Sequence, residues 1–282
     1  LPDNLFKILA AICAVVIVCF FAIKWLSDKI HAPNSETLKG AVVITGILFS
    51  LFVGFASLRL GTNLFESIDN SFLQFAQSIR GQGIDMFLVF ATMLGDEAFL
   101  YISFTLFVGL LLFSGRKLLA LEVAVTGLAT AGITHLLKYV FAIPRPDLVA
   151  APPSSFAFPS GHSSGAAVFY ALLAIILARS ALSQDRWKYY TAFAIPIFLI
   201  AMSRVLLGVH WVSDIVGGVL LGLTIVGLSH CVFSYFSQVS HRHIDGLPQR
   251  AIAAFILTWV IASWGYQSAL FTETLEMFRV VA

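Results

Sequence analysis

Lys138, Arg145 and Arg204 are cations, His162 and His210 are imidazoles, and Asp214 is a carboxylate. All six fall within 77 positions of a 282-residue chain. Three cations converging on one point suit a dianionic phosphate, and the two arginines offer planar forks to its oxygens. Pro159-Ser160-Gly161 stands just before an apolar run that reads as a helix. There Ser160 can cap the helix, Gly161 lets the backbone come close, and free N–H groups face an anion. His210 and Asp214 are spaced i and i+4, which places them on one helical face. The carboxylate can hold one imidazole nitrogen and leave the other as a nucleophile. His162 is a second imidazole, suited to protonating a leaving oxygen and then activating water.

Together these groups would perform a two-step phosphoryl transfer. His210 attacks phosphorus in line and forms a phosphohistidine, while the cations and the helix N-terminus stabilise the equatorial oxygens. His162 serves first as acid and then as base. Asp214 orients His210 and stabilises its positive form, and the scheme requires neither a metal nor another cofactor. Each residue also has a plainer reading alone. Lys138 and Arg204 can be cations snorkelling at helix ends. His162 can be a satisfied histidine at a helix start. His162, His210 and Asp214 also form a conceivable metal set, although three nearby cations would repel the ion. Asp147, beside Arg145-Pro146, can tether an arginine or simply belong to the loop.

The elements that must hold these groups follow from composition. Hydrophobic residues make up 59% of the chain and charged residues 11%, against roughly 25% charged in a soluble domain. The mean hydropathy is +0.92. These values exclude a single soluble domain, a disordered chain, a coiled coil and a disulfide scaffold. The net charge of +2 makes no case for nucleic acid. Cys13, Cys19 and Cys231 lie in apolar runs and are expected to be reduced, buried thiols.

A bilayer core takes about 20 apolar residues in helix. The charge-free stretches predict an all-α, polytopic membrane protein with about eight transmembrane helices. These lie near 5–26, 39–60, 96–114, 118–141, 161–182, 189–208, 211–237 and 250–268. Long continuous runs, without period-two alternation, argue against a barrel. A signal peptide is the alternative for the first run, but no small-residue cleavage site follows it. Leu1 is not Met, so the chain is read as processed or cut from something longer. Loops holding Lys24, Lys29, Lys39, Arg116, Lys117, Arg179, Arg186, Lys188, Arg242 and Arg250 carry ten of the seventeen cations. The positive-inside rule puts them in the cytoplasm. The four chemistry-bearing segments then share the outer face. Residues 63–95 form the one long connection, with Leu64, Phe65, Ile68, Phe72 and Phe75 at helical spacing. They read as a helix in the outer interface or, alternatively, one packed on the bundle. Ser240–Arg250, with His241 and His243, reads as a solvated cytoplasmic loop.

The segments resemble the three signature motifs of the phosphatidic acid phosphatase type 2 superfamily. The first is Lys138, six residues, then Arg145-Pro146. The second is Pro159-Ser160-Gly161-His162. The third is Ser203-Arg204, five residues, His210, three residues, Asp214, and all eleven fixed positions match. The resemblance covers about 39–240 and implies a six-helix phosphatase core. It is flanked by an extra N-terminal helix within 1–38 and a loop and extra helix in 241–282. It also implies that His210 is the nucleophile and His162 the acid/base, with Lys138, Arg145, Ser160, Gly161 and Arg204 binding the phosphate. The expected protein is a lipid phosphatase of a bacterial inner membrane, with its site on the outer side. Its substrate would be undecaprenyl diphosphate, phosphatidic acid or phosphatidylglycerophosphate. A lipid phosphotransferase would use the same residues, and a non-catalytic lipid transporter remains a third class. Transporter sites sit near the midplane, whereas these polar groups gather at one face.

Overall fold

The structure is a computed structural model and describes residues 35–149, 153–239 and 247–278. Nine α-helices are formed among them: α1 (Ser35–Gly61), α2 (Glu66–Ile79), α3 (Gln82–Met93), α4 (Glu97–Phe113), α5 (Lys117–Phe141), α6 (Gly161–Ala178), α7 (Arg186–Leu206), α8 (Val212–Val239) and α9 (Gln249–Met277). In lipid each backbone polar group must be paired within its own segment, which is why apolar runs of this length fold as helices. Six helices are long and apolar enough to span, and a seventh span arises if α3 and α4 are taken together across a 44° bend. The first expected helix, near 5–26, lies outside the described residues, as do Cys13, Cys19, His241 and His243. Cys231 is a free thiol but only half-buried, with its sulfur 3.6 Å from Thr45 Oγ1.

α6 is the central post. Its residues are apolar on every side and most are fully buried, as expected of a helix wrapped by others. It packs on α7 and α8 and more lightly on α5 and α4. Small residues allow this. An added Cβ at Gly218 of α8 would lie 2.6 Å from the Ser160 carbonyl oxygen, and one at Gly222, four residues on, 2.7 Å from that of Ser164. Such small-xxx-small spacing brings helix backbones together in membranes. Hydroxyl pairs add to this: Thr134 with Ser164 at 3.1 Å, and Thr126 with Ser229 at 2.5 Å. Each interhelical bond of this kind contributes about 0.6 kcal/mol. Gly218→Ala is expected to overpack this contact at a cost of about 1–3 kcal/mol. Thermal unfolding in detergent should therefore show a lower Tm, with phosphate release reduced in parallel. An unchanged Tm would show that the close approach is not needed.

The 63–95 connection differs from the single interfacial helix expected. It breaks at Arg80-Gly81 into two helices with different jobs. α2 keeps Ile68, Phe72 and Phe75 exposed along one side, and Leu64, in the turn before it, is exposed as well. Its buried Asp69 accepts hydrogen bonds from Ser213 N (2.9 Å) and Ser213 Oγ (2.7 Å), with Arg59 3.7 Å away. α2 thereby grips the first turn of α8. α3 instead packs on α7 and α9. The break is held by Arg80, which forks onto Asp85 (2.6 and 3.2 Å) and donates to the carbonyls of Leu207 (3.0 Å) and Phe278 (2.6 Å).

The last helix also differs. It runs to Met277 rather than stopping near 268, because Glu273 and Glu276 fall on its exposed side and do not end it. Its final turns reach the end of the bundle where the motif residues gather.

Candidate active site

The three motif segments meet at one end of the bundle around a cavity of about 600 Å³. Lys138, Arg145, Gly161, His162, Arg204 and His210 all line it. Ser160 and Asp214 stand behind that lining, fully buried.

His210 precedes α8 rather than lying within it, so the expected shared helical face is corrected to a contact made across the helix N-terminus. Asp214, in the first turn of α8, accepts from Trp211 N at 2.9 Å and holds His210 Nδ1 at 3.1 Å with the same oxygen. A carboxylate is favoured there by the unpaired N–H groups and the helix dipole. Because Nδ1 donates to Asp214, Nε2 carries the lone pair, and Arg145 Nη1 meets it at 2.8 Å. Burial chiefly, and then Arg145, Arg204, Lys138 and His162, hold the His210 imidazole well below the usual histidine range. This favours the neutral, nucleophilic form of the ring.

The cations are held by different means. Arg145 sits in the loop after α5, where burial lowers it to about 10 and leaves it charged at neutral pH. Its Nε donates to Ser155 O (2.7 Å), its Nη1 to Val209 O (2.8 Å) and its Nη2 to Ser155 Oγ (3.1 Å). Arg204, in the last turn of α7, donates to Thr92 Oγ1 at 2.8 Å and lies 5.5 Å from the Phe278 ring. Its buried Nε finds no hydrogen-bond partner among the described residues. Its carbonyl accepts from Val209 N (3.1 Å) and His210 N (3.2 Å), which folds the chain back to present His210. Lys138, in the last turn of α5, donates to the carbonyls of Phe156 and Ala157. It braces the loop that leads into α6 as well as facing the cavity.

Ser160 is the N-cap of α6, with its Oγ 3.4 Å from Ser163 N, and its own N donates to Asp214 O at 3.1 Å. Its hydroxyl is turned into the helix start, so it shapes the site from behind. At Gly161 a Cβ would have room, 3.8 Å from Lys138 Cε. Packing alone thus does not demand glycine there. His162, in the first turn of α6, faces the cavity with Nε2 4.0 Å from Asp96 Oδ2. Asp147 is exposed in the loop.

From the polar end the cavity continues between α4 and α5, past Leu100, Phe104, Val108, Ala124 and Leu128. Ala124 to Lys138 is roughly 20 Å of helix, a large part of a hydrocarbon core about 30 Å thick.

Residues 119–238 match the family model of the PAP2 superfamily. Phosphatidylglycerophosphatase B of Bacillus subtilis strain 168 is 34% identical over 183 residues, covering 62% of this chain and 88% of the relative. The chain belongs to the PAP2 superfamily. A crystal structure of a transmembrane PAP2-type phosphatidylglycerolphosphate phosphatase from Bacillus subtilis superposes with a TM-score of 0.61 at 30% identity, covering 67% of this chain and 96% of that one. Undecaprenyl-diphosphatase of Sulfolobus acidocaldarius is 27% identical over 194 residues, covering 66% and 85%. The protein is thus an integral membrane phosphatase of the PAP2 family.

Several groups around this PAP2 site escape the motif reading. Gly218 and Gly222 were legible as a four-residue glycine spacing. Asp69, Arg59 and Ser213, which fasten the start of α8, join residues up to 154 positions apart and carry no local signal. Asp96, Tyr266 and Phe278 reach the cavity from outside the three motifs, Tyr266 from α9 and Phe278 from just past its end, a region beyond the family match.

Proposed function

We propose that this protein removes the terminal phosphate from a membrane lipid phosphate or diphosphate through a phosphohistidine on His210. The observation that carries this is the His210 dyad: Nδ1 is fixed on Asp214, and Nε2 is aimed at Arg145 inside the cationic cavity. Arg145 already touches the nitrogen that would attack, so a phosphate gripped by its fork lies next to the nucleophile. In the first step the His210 Nε2–P bond forms, the bond from phosphorus to the lipid oxygen breaks, and His162 gives that oxygen its proton. In the second step His162 takes a proton from water, the hydroxide attacks phosphorus, and the P–N bond breaks, restoring neutral His210. Arg145, Arg204, Lys138 and the N-terminus of α6 hold the equatorial oxygens throughout.

The apolar groove between α4 and α5 fits a lipid whose tail stays in the bilayer while its head group enters the polar end. Likeness to phosphatidylglycerophosphatase B makes phosphatidylglycerophosphate the first substrate to offer. Undecaprenyl diphosphate and phosphatidic acid complete the panel. The cation-rich loops at the other ends of the helices support a site on the outer face of the membrane, which we read as a bacterial inner membrane. The test is phosphate release by purified protein in detergent with a chelator present, with a soluble phosphate ester as a further substrate. Release from one lipid, undiminished by chelator, is expected. Loss of activity on chelation, restored by a divalent ion, would sink the metal-independent scheme. Labelled phosphate appearing on an added lipid alcohol rather than in water would identify a phosphotransferase instead.

A further inference from the structure

The acid role of His162 faces an electrostatic obstacle. Lys138 from α5, Arg145 from the following loop and Arg204 from α7 all line the same cavity and disfavour a proton on its ring, and His210 lies beside them. A general acid has to carry that proton when the lipid oxygen leaves. Among the described residues, one carboxylate is paired with the ring: Asp96, whose Oδ2 is 4.0 Å from His162 Nε2. That is too long for a hydrogen bond, so Nε2–H stays available to the leaving oxygen, and short enough to favour the imidazolium. Neighbouring Glu97, also at the cavity wall, is engaged with Tyr101 (2.9 Å) and His135 (3.4 Å). Asp214 is engaged with His210 and Trp211.

Asp96 is itself fixed from two sides. Its Oδ1 accepts from Ala98 N at 3.0 Å, which makes it the N-cap of α4, and from the Tyr266 hydroxyl of α9 at 2.5 Å. With Oδ1 doubly held, Oδ2 is the oxygen turned to His162. The far end of α9 is tied down separately, by Arg80 on the Phe278 carbonyl and by the Phe278 ring over Arg204. We infer that Asp96, held by Tyr266 of the C-terminal helix, is a positioning residue that keeps His162 protonated for departure of the lipid oxygen. This rests on the proposed acid role of His162. It gives α9, which lies outside the family match, a part in the reaction of this chain.

The test is Asp96→Asn and Tyr266→Phe in the full chain, with His162→Ala beside them. Asparagine caps helices as well as aspartate, so Asp96→Asn keeps the start of α4 and removes only the charge. Rates are measured against pH on phosphatidylglycerophosphate and on p-nitrophenyl phosphate, whose leaving group needs no acid. For Asp96→Asn on the lipid, the alkaline limb of kcat is expected to move down by about one pH unit. At pH 8 this is a loss of roughly tenfold, with KM little changed and activity recovered at lower pH. On p-nitrophenyl phosphate the loss should shrink to less than about twofold, because the acid is not used. Tyr266→Phe should show the same dependence on leaving group with a smaller loss. Asp96→Asn with an unshifted limb, or equal losses on both substrates, would overturn the proposal while an inactive His162→Ala left the acid role standing. Full lipid activity in His162→Ala would remove both.

Discussion

His210→Ala should eliminate phosphate release, a fall on the order of 10⁴-fold or more, because it removes the nitrogen that takes the phosphoryl group in the proposed scheme. The expectation rests on geometry. His210 Nε2 is the lone-pair nitrogen, Asp214 fixes the ring's orientation, and Arg145 lies against Nε2, where the proposed scheme needs the phosphate. Quenching the unmodified enzyme during turnover of labelled substrate should trap acid-labile phosphohistidine, and the variant should trap none. His162→Ala separates the two steps. On the lipid it should be slow in the first step for want of an acid. On p-nitrophenyl phosphate the first step needs no acid, but the second still needs a base, so phosphohistidine should accumulate. Full lipid turnover by His210→Ala would end the covalent mechanism. Absence of trapped label in both the unmodified enzyme and His162→Ala would argue for direct attack by water.

Asp214→Ala carries the second largest expected effect, a loss of about 10³–10⁴-fold in kcat. One carboxylate oxygen accepts both His210 Nδ1–H and Trp211 N–H. Alanine frees the ring to choose its tautomer and leaves a backbone N–H unpaired at the start of α8. Asp214→Asn discriminates between the causes. Its amide oxygen can occupy the same position and accept both donors, so the tautomer is kept while the charge is lost. The asparagine variant should fall by roughly 10²-fold, the share due to stabilising the positive phosphorylated ring. Single-turnover rates of both variants at saturating lipid are the measurement. If the asparagine variant matched the unmodified enzyme, Asp214 would act by orientation alone. If the alanine variant did so, the dyad would have no part in the reaction.

Much of this site is legible in the residues themselves. Lys138, Arg145, Pro159 to His162, Arg204, His210 and Asp214 announce a phosphate chemistry because ionisable groups are costly at a membrane and rarely gather without use. The helices follow from charge-free runs of bilayer length, and their ends fall within a few residues of those expected for α1, α4, α5, α7 and α8. Local physics dominates both readings: spacing along one helix, a cap, a run of apolar residues. The same local physics misjudges the 63–95 segment. Its periodicity is helical throughout, and the break at Arg80 is fixed by carbonyls of Leu207 and Phe278, 127 and 198 residues away. It also ends α9 too early, because the two glutamates that look like a terminus lie on an exposed side.

The chain's amino acids determine its class, its spans and the spacing within each motif, including the one that couples His210 to Asp214. Composition and short-range geometry suffice for these, since each depends on neighbours within a turn or two of helix. Three matters were left to packing between distant helices. Arg145 lies against the free nitrogen of His210. Ser160 braces from behind while Lys138 also holds the loop. Asp96 and α9 join the site at all. Each is a contact between segments whose approach depends on how α4, α6, α7, α8 and α9 fit together, and no pattern along one segment encodes the shape of another.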